Sequence, residues 1–110
     1  MHELSLVQGV VDICEQHSGG RRVLEVVLEI GALSGVVPEA LEFCFEAAVK
    51  ETLLEGATLI IERIPATGFC SICGVVSTME TYFDPCPCCS APVLDLRSGD
   101  EMRVKDLEVE

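Results

Sequence analysis

The chain has 110 residues, nearly half of them apolar, and carries seven lysines and arginines against nineteen aspartates and glutamates. A formal charge of −12 repels phosphate backbones and anionic bilayers, which argues against nucleic-acid and membrane partners. There is enough apolar material to offset chain entropy, so intrinsic disorder is excluded, and the length fits one small domain with room for a satellite.

Residues 4–18 carry Leu4, Val7, Val10, Val11 and Cys14 at spacings of three and four, with Gln8, Asp12 and Glu15 opposite. That pattern predicts an amphipathic helix, and Ser18-Gly19-Gly20 ends it, because glycine takes the left-handed cap conformation at little cost. Between residues 22 and 30 the period changes. Leu24, Val26, Leu28 and Ile30 alternate with Glu25, Val27 and Glu29, which predicts a strand with one buried face. Gly31–Gly35 reads as a loop.

Pro38 suits the first position of a second helix, with Glu39 and Glu42 near its electropositive end. An apolar stripe of Leu41, Cys44, Phe45 and Ala48 carries this helix to about Leu54, before Gly56. Residues 57–64 predict a second strand closed by Pro65. Residues 101–109 predict a third, whose alternation slips at Asp106-Leu107. Residues 66–95 are rich in Cys, Pro, Ser and Gly and lack periodicity. The expected fold is α+β: a small three-stranded sheet with two helices, plus an inserted zinc-ribbon-like domain built on rubredoxin-like knuckles. The expected domains are 1–65 with 98–110, and 66–97.

Of seven cysteines, Cys70, Cys73, Cys86, Cys88 and Cys89 fall within twenty residues, whereas Cys14 and Cys44 stand alone on apolar helix stripes. The odd total, the absence of a basic leader and of any apolar run near the roughly 18 residues of a membrane span point to a reducing, cytoplasmic setting. Cys70-Ser71-Ile72-Cys73-Gly74 and Cys86-Pro87-Cys88-Cys89-Ser90 form two C-x2-C knuckles twelve residues apart. Two such knuckles can complete a tetrahedron around one soft cation, and a segment this poor in apolar residues needs metal to fold. The set Cys70, Cys73, Cys86 and Cys89 keeps both knuckles alike and leaves Cys88 as an extra thiol. Gly74 suits the tight turn after the first knuckle, and Ser90 holds the equivalent place after the second. Spacing leaves zinc and iron both open. A closed four-thiolate zinc site has no free coordination position, so the protein's activity is expected elsewhere.

The chain opens Met1-His2-Glu3. A free α-amine with an ordinary pKa near 8, backbone amides and an imidazole make a nitrogen-rich set suited to square-planar nickel or copper(II). The Glu3 carboxylate can add a ligand or orient His2. A histidine at position two also reads as an ordinary solvated terminus. The zinc-protease pattern H-E-x-x-H fails at Leu6, and His17 reads as a cation at the helix end. No base, nucleophile and orienting group occur together in a recognisable motif, so no catalytic residue is assigned.

The opening Met1-His2-Glu3-Leu4-Ser5, the stretch from Ile30 to Phe43, the two knuckles and Ser98–Lys105 together resemble the HypA/HybF hydrogenase maturation proteins over nearly the whole chain. The second knuckle departs from that family's C-P-x-C-G at Ser90 and fills its x with Cys88. The resemblance implies a nickel metallochaperone with Ni(II) as cargo at the Met1 amine, His2 and Glu3. It also implies structural Zn(II) at Cys70, Cys73, Cys86 and Cys89. The implied partners are a HypB-type GTPase and the [NiFe]-hydrogenase large subunit, with urease an open second client, and a monomer or weak homodimer is expected. A rubredoxin-like iron electron carrier and a zinc-ribbon adaptor are the competing readings.

Overall fold

The computed structural model describes residues 2–110, with side chains from Glu3 onward. The elements in chain order are α1 (His2–His17), β1 (Val23–Gly31), α2 (Pro38–Ala48), β2 (Thr58–Ile64), β3 (Thr67–Phe69), β4 (Val76–Thr78), β5 (Asp95–Ser98) and β6 (Met102–Val109). They form two three-stranded sheets, ordered β2-β1-β6 and β4-β3-β5. The chain divides into two compact units: residues 1–29, 36–62 and 103–110, and residues 30–35 and 63–102.

The first unit follows the helical and strand periods of its sequence. Val7, Val10, Val11 and Cys14 of α1 are buried, as are Val23, Val26 and Leu28 of β1 and Leu41 and Phe45 of α2. Removing these side chains from water drives α1, α2 and the sheet together. The solvent side of the sheet carries charge pairs: Arg103 of β6 with Glu29 of β1 at 2.5 Å, and Lys105 with Glu62 of β2 at 2.9 Å. The slip expected late in β6 is present, since Val104, Leu107 and Val109 are its half-buried positions.

Two local expectations are corrected. The buried face of β1 begins at Val23, whereas Leu24 is 42 % exposed. Here the Val23 N–H donates to the Leu53 carbonyl at 2.9 Å, so a loop contact, not alternation, sets the strand's entry. The second helix ends at Ala48 instead of near Leu54. The Thr52 hydroxyl donates to the Val49 carbonyl at 2.6 Å and accepts the Leu54 N–H at 3.1 Å. These side-chain bonds compete with the helical ladder, and Glu51 turns left-handed at φ 64°. Glu15 of α1 then accepts the Leu53 N–H at 3.2 Å.

The second unit is built on a hairpin that periodicity did not reveal. β3 pairs antiparallel with β4, placing Gly68 opposite Ser77, and with β5 on its other side. A Cβ on Gly68 would lie 2.5 Å from Met79 Sδ and 2.9 Å from Leu94 Cβ, so the missing side chain is what lets Met79 and Leu94 close over the strand. Cys70, Cys86, Ala66, Ala91, Met79 and Leu94 form this unit's small core. The segment 30–35 belongs to the unit through backbone bonds: Gly31 N–H to Glu101 O, Ala32 N–H to Ile64 O and Leu33 N–H to Gly99 O. At Gly31 any side chain would collide with the Gly99 backbone.

Cys14 is fully buried, and burial pushes its thiol up to about 11. Folding therefore holds it neutral. Its contribution to stability is whole below its ordinary value of 9.0 and is lost as pH climbs towards about 11. Replacing the sulfur by a hydroxyl sets a polar group among Val7, Val10 and Val11. Cys14→Ser is expected to lower unfolding free energy by about 1–3 kcal/mol in chemical denaturation, with bound metal unchanged.

Candidate metal centre

Both knuckles have the same construction. The Gly74 N–H donates to the Cys70 carbonyl at 2.8 Å and the Ser90 N–H to the Cys86 carbonyl at 2.9 Å. Cys70 N–H returns to Val75 O at 2.9 Å, and Cys86 N–H to Ala91 O at 2.8 Å. Such turns need a left-handed residue after the second cysteine. Gly74 takes it at φ 77°, and Ser90 takes it at φ 64°, a conformation that costs serine more than glycine.

Within each turn the leading sulfur faces backbone donors. Cys73 N–H points at Cys70 Sγ at 3.5 Å, while the N–H groups of Cys88 and Cys89 point at Cys86 Sγ at 3.4 and 3.5 Å. The four sulfurs of Cys70, Cys73, Cys86 and Cys89 all lie within 4.8 Å of one another. The pairs Cys70–Cys89 and Cys73–Cys86 each stand at 3.6 Å, too far for a disulfide of about 2.05 Å. A tetrahedron with metal–sulfur bonds of about 2.3 Å has edges of about 3.8 Å. The cluster fits that figure.

Electrostatics point the same way. The Cys89 N–H, with the Cys88 N–H, brings Cys86 down to about 6 against its burial. The Cys73 N–H likewise lowers Cys70. The Val75 N–H favours the Cys73 thiolate, yet burial and the neighbouring sulfurs push that thiol up to about 12. Four sulfurs this close do not all ionise without a cation among them. The donor set is all sulfur and closed, which suits zinc or iron and leaves no position for substrate. Cys88 is exposed and stands outside the four-sulfur group.

Sequence reasoning missed the turn that precedes the second knuckle. Asp84 accepts the Glu80 N–H and the Thr81 hydroxyl, both at 2.7 Å. These donors, the Glu80 N–H first, hold its carboxyl below the usual range. Tyr82 donates its hydroxyl to the Leu33 carbonyl at 3.2 Å. The signal was present as Thr81-x-x-Asp84 before a proline, a turn-forming spacing.

At the other candidate site, Met1 and the His2 side chain lie outside the described residues. The His2 backbone opens α1. Glu3 sits in the first turn of α1, and its Oε2 accepts the Val37 N–H at 3.3 Å. His17 Nδ1 is 2.9 Å from the Ile13 carbonyl at the end of α1, as a terminal cap.

The fold and the sulfur cluster define a small α+β metal-binding protein with a zinc-ribbon-type centre. Comparison with known proteins gives the particular family. The family model described as hydrogenase/urease nickel incorporation, metallochaperone, HypA matches residues 1–109, and the chain belongs to this family. It is 61% identical to the hydrogenase maturation factor HypA of Geobacter metallireducens and 59% identical to that of Geobacter sulfurreducens, each match covering all of both chains. Among solved structures it resembles the solution structure of the nickel metallochaperone HypA from Helicobacter pylori, with TM-score 0.68 and 25% identity over 97% of this chain and 96% of that one. A second HypA solution structure matches with TM-score 0.72 and 26% identity over 100% and 97% of the two chains.

Cys89→Ser is expected to abolish stoichiometric metal at the cysteine cluster, whereas Cys88→Ser retains it, as read by metal analysis of the purified proteins. Chelation at neutral pH is expected to collapse the amide dispersion of β3, β4 and β5, because metal supplies that unit's folding free energy.

Proposed function

We propose that this protein binds Ni(II) at its amino terminus and delivers it to the large subunit of a [NiFe]-hydrogenase, working with a HypB-type GTPase and performing no bond chemistry itself. The observation that carries this reading is the closed sulfur centre. Among the described residues, the four cysteines are the group able to hold a metal, and protein ligands fill every position around it. An ion held there is structural, and zinc is the assignment. Cargo in a nickel-incorporation family then rides elsewhere, and Met1-His2-Glu3 offers the nitrogen-rich alternative.

The backbone suits this role. The first N–H groups of a helix have no carbonyl four residues earlier to donate to, so nickel can take amide nitrogen at the start of α1 without breaking its ladder. The Met1 amine, the His2 imidazole and the Glu3 carboxylate complete the proposed set. A terminal site releases its ligands one at a time, which permits handover to a partner. Copper binds such a set more tightly than nickel, so selectivity rests on supply and partner recognition. No helix among the described residues is long and apolar enough to cross a membrane. The working location is the cytoplasm, as a monomer or weak homodimer.

Protons compete for the amine, the amides and the imidazole, so nickel affinity falls as pH drops. Calorimetric titration is expected to show progressively weaker nickel binding from pH 8 to pH 6. His2→Ala and amino-terminal acetylation are each expected to remove nickel binding and leave zinc in place. Unchanged nickel uptake by the acetylated protein overturns the assignment.

A further inference from the structure

The sheet of the first unit is open along β6. In the order β2-β1-β6, β6 has β1 on one side and, among the described residues, no strand on the other. Such an edge is a template for another strand. Beside it runs a groove of about 480 Å³, lined by Ile13 and His17 of α1 and by Val104, Asp106, Leu107 and Val109 of β6. The three apolar residues of β6 are only half-buried, and Ile13 is 44 % exposed. Gly9 lies one turn before Ile13 on the same helix face. A glycine there weakens the helix relative to alanine, and nothing within the chain requires it, because a Cβ would meet no atom within 4 Å.

The sequence of β6 reads as its own complement. Set antiparallel to itself with Lys105 opposite Asp106, it also places Val104 opposite Leu107 and Arg103 opposite Glu108. Each pair is either apolar or of opposite charge, the kinds that stabilise neighbouring strands. Residues opposite one another share a sheet face, which regular alternation forbids for positions three apart, such as Val104 and Leu107. The slip in β6 removes that obstacle. Val104 and Leu107 are both half-buried, with the exposed Lys105 and Asp106 between them. Lys105 already meets Glu62, and an ammonium has three donors, so it can also serve a carboxylate across the edge.

We propose that β6 pairs with β6 of a second copy of this chain about a two-fold axis, joining the two sheets into one, with α1 of each copy side by side over the seam. The interface is isologous. Ile13, Val104 and Leu107 leave water there, and Gly9 lets the two helices approach closely. A second copy is the occupant because the complement of this edge is the edge itself. The formal charge of −12 opposes self-association at long range. That opposition is least at β6, which carries two of the seven basic residues. The pairing is independent of where nickel binds.

The full-length, zinc-loaded protein is the test material. Sedimentation equilibrium from about 1 μM to about 1 mM is expected to show a monomer–dimer equilibrium. In a mixture of isotope-labelled and unlabelled chains, filtered NOE spectra are expected to show contacts between chains from Val104 to Leu107 and from Lys105 to Asp106. Asp106→Lys sets like charges opposite each other on both sides of the axis, and Lys105→Asp does the same with carboxylates. Each variant alone is expected to dimerise about 10-fold more weakly than wild type. Mixed in equal amounts, the two variants regain attraction at both positions, and association is expected to return to the wild-type level. A wild-type chain that stays monomeric up to about 1 mM, or whose interchain contacts lie on another face, overturns the proposal. So does a mixture that associates no more tightly than either variant by itself. Should a variant not fold, the wild-type contacts still decide.

Discussion

Convergence of four sulfurs within 4.8 Å is the constraint on which the second unit depends. Thiolates this close repel, so ionising all four sulfurs calls for a cation among them. Everything nearby serves that closure. The left-handed residues Gly74 and Ser90 turn each knuckle back on itself, and backbone N–H groups face the leading sulfurs. Met79 and Leu94 fill the space that Gly68 leaves. The apolar core is correspondingly small, and a segment of this composition has no other large source of folding free energy.

The first unit has the opposite economy. Its stability comes from ordinary burial, with valine and leucine from α1, β1 and α2 withdrawn from water. Among its polar contacts, charge pairs on the outer sheet surface contribute little, and the Thr52 hydroxyl and the Glu15 carboxylate, which accepts the Leu53 N–H, shape the turn after α2. At the beginning of α1, where the nickel site is proposed, the Glu3 carboxylate meets the start of α2. Burial thus builds the first unit, while the four-sulfur centre is what a metal would hold together in the second.

On the proposed reading, this separation lets one small chain serve two metals with different demands. Permanent binding calls for soft, matched ligands and a closed shell. Transferable binding calls for ligands that leave stepwise, which a chain terminus supplies and a closed cage does not. Sulfur placed at the terminus would hold cargo too firmly, and nitrogen in the ribbon would weaken its staple. The proposed division follows the distribution of cysteine and histidine along the sequence.

Much of this was legible without coordinates, because the relevant signals are local. Three- and four-residue spacing marks α1, alternation marks β1 and β6, and paired C-x2-C knuckles mark the sulfur centre regardless of surroundings. Ser90 was readable as the costlier partner of Gly74 for the same reason: a tight turn dictates its backbone from within. Other features belong to tertiary structure. The early end of α2 depends on how Thr52 and Glu15 compete for backbone groups. The entry of β1 at Val23 depends on Leu53, thirty residues away in sequence. The β3–β4 pairing has strands too short to carry a period, and the Glu3–Val37 contact joins residues brought together only by packing of α1 on α2. Composition and spacing specify what a segment prefers by itself; which donor meets which acceptor across the chain is settled when the core closes.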